Sequence, residues 1–246
     1  MNCPLYKPLL KYVVLSLALL LACSTTFAQT VATPTGKEES VRPDINSKFL
    51  DPELNPQDWI ERFEGESREV FRSRDAIVEA VGLKLGDTVA DIGAGTGLFS
   101  MLFAEQVGSE GWVFAVEIAL PFVERIGELA NERGYTNITP LLGAERRVRL
   151  SPESIDVAFV CDTYHHFEYP HSTLASIYHA LRPGGRLVIV DFERIPGVSR
   201  EWTLGHVRAG KEEVREEIES AGFEFVAETE IEGLEENYFL TFQRAD

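Results

Sequence analysis

Basic residues are scarce in this chain. Lys and Arg total 23 against 40 Asp and Glu, a formal net charge of −17. The first 28 residues hold two lysines and no acid, so the remainder carries 21 basic against 40 acidic residues, or −19. A surface of that sign repels phosphate backbones and anionic headgroups at long range. An rRNA, tRNA or DNA enzyme is therefore disfavoured, and no nucleic acid is expected as a partner. Cysteine is nearly missing as well, with only Cys3, Cys23 and Cys161. The first two lie in the leader described next, so Cys161 stands alone and no intrachain disulfide is expected. Long apolar runs are also wanting. The run Tyr12–Ala22 has 11 residues, too few for an ordinary spanning helix.

That short run sits in a targeting pattern. Lys7 and Lys11 precede it, and "TFA" before Gln29 offers small residues for cleavage after Ala28. "LLAC", Leu20 to Cys23, also resembles the lipobox of bacterial lipoproteins, in which the cysteine becomes the lipidated N-terminus. Two readings stand together: a signal peptide over residues 1–28, or a leader ending before a lipid-anchored Cys23. Either implies an exported protein, periplasmic or secreted in the first case and membrane-tethered in the second. Residues 29–57 carry Pro34, Pro43, Pro52 and Pro56 among polar residues and read as a linker. The expected domain spans residues 58–246.

Within the domain, helical signals come first. Asn55 can cap, Pro56 suits the first helical position and Asp58 the first turn. A second helix near residues 67–81 aligns Val70, Phe71, Ile77 and Val78 on one face. Apolar strands and helices then alternate, from "TVADI" at Thr88–Ile92 to "RLVIVDF", with "RPGG" as punctuation before the latter. Such alternation predicts an α/β fold with a parallel sheet covered on both faces. Two last strands, "FEFVAETE" and "NYFLTFQR", are joined by the short link "IEGLEE", so the final strand is expected to be antiparallel.

The stretch "VADIGAGTGLFS" raises the question of a ligand. A strand, a glycine turn and a helix N-terminus together turn backbone N–H groups towards a pocket. A phosphate-bearing nucleotide, a dinucleotide or a nucleoside amino acid could each use it. A phosphate-cradling loop needs Lys and Ser/Thr after the last glycine, where this chain has Leu98 and Phe99. A dinucleotide fingerprint needs its third glycine at Leu98.

"VADIGAGTG" resembles the first motif of the class I S-adenosylmethionine-dependent methyltransferases, matching it at Asp91, Gly93, Gly95 and Gly97. Further along, Glu117 closes "VFAVEI", "IDVAFVCDTYHHF" resembles the family's fourth strand and loop, and "ALRPGGRLVIVDF" its fifth. The resemblance covers about Ser67–Arg244. It implies a doubly wound, Rossmann-like sheet of seven strands with an antiparallel last strand, and S-adenosyl-L-methionine as cofactor. It places Asp91, Gly93, Ala94, Gly95 and Gly97 at the methionine end, and Asp162 as an acid beside the positive groups there. Glu117 falls on the ribose, where a carboxylate can accept from two adjacent hydroxyls. The family's adenine-binding Asp is replaced by "GAE", which leaves Ala144's backbone or Glu145 for that contact.

The loop after the fourth strand, "CDTYHHFEYP", lies at the carboxyl edge where such sheets bind ligands. Tyr164, His165 and His166 are the catalytic candidates, a histidine serving as base if the acceptor must lose a proton. Some O-methyltransferases of this fold hold a divalent cation with acids after strands four and five. Here the first acid falls on Cys161 and the usual Asp-Asn pair on Asp191-Phe192, so no metal is expected. Trp59, Phe63, Arg68, Arg72 and Arg74, with Trp202, His206, Arg208 and Lys211, are candidates for the acceptor pocket. The expected activity is methyl transfer to a small-molecule or protein acceptor. The alternatives are an exported cofactor-binding module without turnover and an NAD-dependent oxidoreductase.

Overall fold

The fold was taken from a computed structural model, which describes Met1 and residues 38–65 and 68–245. The chain divides into two units, Met1–Ala32 and Thr33–Asp246. The expected leader, with its cleavage sites and Cys23, lies outside the described residues. Among those described, no helix is long and apolar enough to cross a membrane.

Seven strands form one sheet: β1 Thr88–Ile92, β2 Trp112–Glu117, β3 Ile138–Leu142, β4 Ile155–Cys161, β5 Leu181–Phe192, β6 Phe223–Glu228 and β7 Asn237–Arg244. Their order is β3-β2-β1-β4-β5-β7-β6. β1, β2, β3, β4 and β5 pair in parallel, while β7 runs antiparallel to both β5 and β6. The doubly wound sheet and its reversed last strand are thus as the sequence predicts. The strand order reverses between β1 and β4, and the crevice outside their carboxyl ends is the ligand position for such a sheet.

Helices cover both faces. On one side lie α3 Arg74–Val81, α4 Leu98–Val107 and α5 Leu120–Arg133. Ile77, Val81, Phe99 and Phe103 pack there against Val89, Val157 and Phe159. On the other side α6 Pro170–Ala180 and α8 Lys211–Ser220 bring Leu174, Ile177, Val214 and Ile218 onto Ala158, Leu187 and Ile189. The central strands are buried on both faces, which explains their unbroken apolar runs.

Three local details differ from expectation. The helix predicted near residues 67–81 is two, α2 Glu69–Arg72 and α3, divided at Ser73, whose hydroxyl donates to the Glu232 carbonyl at 3.1 Å. The "RPGG" stretch lies inside β5, accommodated by a register shift opposite Ile155 and Val157. A short helix α7, Glu201–His206, adds to the carboxyl edge.

The segment before α1 Gln57–Phe63 falls within the expected linker, yet residues 38–54 are folded onto the domain. Glu38 accepts the backbone N–H groups of His171 and Ser172 at 2.9 and 2.8 Å, at the start of α6. Arg42 donates to the Gly205 and His206 carbonyls, and the Val41 N–H to the Glu168 carbonyl. Leu54 is buried beside Ala119 and Phe122. These partners come from distant parts of the chain, which is why a local reading of proline and polar content misses them.

Candidate active site

Two hollows meet at the carboxyl edge of the sheet. The first is an open cleft at the ends of β1, β2 and β4. Gly93, Gly95, Glu117, Ala144, Glu145, Asp162 and His166 all line it. Those seven residues of the sequence reading therefore meet around one space. The second is a wider groove, which takes in Asp91, Ala94, His165, Trp202 and His206.

The glycine turn is shaped by close approach. Gly93 has φ +74°, and a Cβ there would lie 2.2 Å from Thr163 Cγ2. Thr163, which the sequence reading passed over, thus forms the wall that demands glycine. Gly97 has φ +89° and precedes α4, where added bulk would meet Ile126 at 3.1 Å. It lines neither hollow and sets the turn into α4.

Glu117 is buried at the end of β2 and holds the turn from below. Its Oε2 accepts the Gly95 N–H at 2.9 Å, and its Oε1 accepts those of Ile118 and Ala119 at 2.7 and 3.0 Å. Burial raises its pKa, and the three N–H groups oppose that shift. Asp91 is also buried, its Oδ2 accepting the Ser100 hydroxyl at 2.6 Å. Burial pushes its pKa up to about 7, with the neighbouring Glu117 charge acting in the same direction. Two buried carboxylates thus flank the turn, a setting that favours a ligand with hydroxyl donors and positive charge.

Asp162 sits at φ +48°, one Oδ accepting Asn237 Nδ2 at 2.6 Å and the other paired with Arg68. At the far end of the cavity, Ala144 and Arg147 exchange backbone bonds at 3.0 Å, which occupies the Ala144 N–H. Glu145 is exposed, and its pKa is raised by partial burial and by the nearby Glu168. Sequence reasoning missed Asn46. It is buried on the cavity wall, its Nδ2 donates to the His166 carbonyl at 3.0 Å, and its Oδ1 has no partner. An orphaned buried acceptor on a cavity wall suits an amino donor. Its position before the glycine turn by 47 residues left no local signal.

The catalytic candidates separate. Tyr164 is fully buried and reaches neither hollow; its hydroxyl donates to Glu217 at 2.8 Å beside Arg208. This corrects the expectation of a catalytic Tyr164: the one-turn helix Tyr164–His166 points it into the core. His165 and His166 stay at the groove. His165 Nδ1 lies 2.7 Å from Asp191 Oδ1, and its backbone N–H donates to Asp191 Oδ2 at 3.0 Å. His166 Nε2 meets His206 Nε2 at 3.3 Å. Of the outer residues, Trp59, Phe63, Arg68, Trp202 and His206 line the groove, whereas Arg208 pairs with Glu217 and Lys211 with Glu193 and Glu228.

Comparison with known sequences shows what the central segment resembles. Residues 90–189 match the family described as "Methyltransferase domain". That match takes in 100 of the 246 residues, and it is a likeness of this central segment. The matched segment starts within β1 and ends within β5, so it holds the glycine turn, Glu117 and the histidine loop. Among curated relatives, the chain is 40% identical over 67 residues to a protein-L-isoaspartate O-methyltransferase of Ignicoccus hospitalis, covering 27% of this chain and 32% of that protein. It is 29% identical over 115 residues to a ubiquinone/menaquinone biosynthesis C-methyltransferase of Marinomonas sp., covering 46% and 45%. The chain thus spans between a third and a half of the length of these relatives. The fold matches that of a SAM-dependent methyltransferase from Aquifex aeolicus with a TM-score of 0.69, at 24% identity over 78% of this chain and all of that one.

Proposed function

We propose that this chain is an S-adenosylmethionine-dependent methyltransferase that acts on a small, anionic acceptor with a flat apolar body. One observation carries the cofactor reading: two buried carboxylates, Asp91 and Glu117, flank a glycine turn too tight for any Cβ at Gly93. The cofactor supplies a methyl group activated on a positive sulfonium. Glu117 would hold its ribose hydroxyls, and Asp91 and Asp162 would face its positive groups. Asn46 Oδ1 would accept from the adenine amino group, a role first expected of Ala144 or Glu145.

The lining of the groove supports the acceptor reading. Trp59, Phe63, Phe192 and Trp202 give it aromatic walls. Arg62 and Lys48 add positive charge at its rim, while Arg200 is paired with Glu236 at 2.6 Å, in a chain whose net charge is −17. A concentration of cations against that background favours an anionic acceptor. Positioning between these walls supplies much of the rate in a displacement of this kind, roughly 7–11 kcal/mol in favourable systems.

Calorimetry with S-adenosylmethionine, with its demethylated product and with NAD tests the reading. Binding of the first two and not of NAD is the expected result. Tight NAD binding alone would overturn it. Cofactor binding without methyl transfer to any acidic or neutral acceptor would favour a binding module instead.

Export is part of the proposal. It rests on Lys7, Lys11, the apolar run Tyr12–Ala22 and the overlapping cleavage signals at Cys23 and Ala28. Mass spectrometry of the N-terminus from the native host should find Gln29 or a lipidated Cys23. An intact Met1 on a soluble protein in the cytosol would refute it.

A further inference from the structure

Five histidines occur in the chain, and three of them meet in one place. One ring nitrogen from each of His165, His166 and His206 lies within 4.8 Å of the others. The remaining two, His171 and His179, are exposed on α6. We propose that the three clustered imidazoles form a binding site for a divalent transition-metal ion of the zinc type on the wall of the acceptor groove.

The local geometry suits such an ion. His166 Nε2 and His206 Nε2 are 3.3 Å apart. Two nitrogens bound at roughly 2.0–2.1 Å in a tetrahedral zinc site are separated by about 3.3–3.4 Å. His165 brings the outer support that metal-bound histidines use. With Nδ1–H donated to buried Asp191 at 2.7 Å, its Nε2 keeps the lone pair, and Asp191 supplies negative charge behind the ring. The Asp191 carboxylate is itself fixed by the N–H groups of His165 and Phe192 at 3.0 and 2.7 Å.

Packing agrees with this placement. Trp202 stacks on His206 with ring centres 4.7 Å apart, and Phe49 packs edge-on against His166 at 5.3 Å. The rings are therefore held in place by aromatic neighbours. Three protein ligands leave a fourth position open, the pattern of zinc sites that bind a substrate or water. On the methyltransferase reading, that position faces the groove and can take an oxygen or sulfur donor of the acceptor.

The test uses the full chain without a histidine tag, stripped with a chelator and titrated with Co²⁺ alone. One equivalent should bind with the visible absorption of a four-coordinate cobalt site, and Zn²⁺ should displace it. His206→Ala should abolish the band; His206 is half-buried on a surface helix, so that variant should keep its fold in a thermal melt. Asp191→Asn should weaken binding about 10–100-fold. The pair His171→Ala and His179→Ala should leave it unchanged. No stoichiometric uptake, a band that survives in His206→Ala, or equal loss in the two exposed variants would each overturn the site. The readout needs neither cofactor nor acceptor, so it stands apart from the fate of the methyltransferase reading.

Discussion

The Glu117 carboxylate accepts the Gly95 N–H at 2.9 Å, tying the end of β2 to the glycine turn 22 residues earlier. The same side chain is also held by the N–H groups of Ile118 and Ala119. Replacing Glu117 with Ala should therefore do two things. It should weaken cofactor binding roughly tenfold or more, since a hydrogen bond to a charged group is worth about 1.5–3 kcal/mol. It should also lower the melting temperature of the free protein, because three N–H groups lose their acceptor. Calorimetry together with a melt checks both, and unchanged affinity in a folded variant would remove Glu117 from the site.

Asp91 should make cofactor binding depend on pH. Its pKa in the folded protein is raised to about 7 by burial, from an ordinary value of 3.8. For a carboxyl raised on folding, the associated stability is full below the unfolded value and is lost as pH rises through the folded one. The free protein should thus lose stability from this group between about pH 4 and 7. The charged form that attracts a positive ligand grows over the upper part of that window. Affinity for S-adenosylmethionine should rise from pH 6 to 8, and Asp91→Asn should flatten the rise. A wild-type affinity that falls with pH would contradict this placement.

Gly93→Ala should be severely damaging. The added Cβ meets Thr163 at 2.2 Å, and φ is +74°. Left-handed backbone costs a non-glycine residue roughly 1–2 kcal/mol, and overpacking typically adds about 1–3. Denaturant unfolding should show a loss of that combined order. Pairing it with Thr163→Gly should recover the steric part alone, so the double variant should lie between wild type and Gly93→Ala.

Tyr164→Phe separates the core tyrosine from the groove histidines. Its hydroxyl bonds Glu217 at 2.8 Å, away from both hollows. Stability should fall by about 1–2 kcal/mol while the Kd for cofactor stays the same. A changed Kd with unchanged stability would return Tyr164 to the site.

The parallel sheet, the glycine turn and Glu117 were legible in the sequence because each is local. A buried central strand must be apolar on both faces, as β4 is over Val157–Cys161 and β5 over Leu187–Val190, and a turn that meets a side chain at Gly93 must be glycine. The reversed β7 was legible from the short link before it, since a parallel return needs a longer crossover. The tertiary structure alone decided which members of "TYHH" reach the groove: a one-turn helix turns Tyr164 inwards and leaves His165 and His166 at its wall. It decided that Asn46, from a stretch read as linker, reaches the cavity wall. It also joined His206 to His165 and His166 across 40 residues. Those relations depend on long-range packing between separate elements, for which a sequence carries no spacing rule.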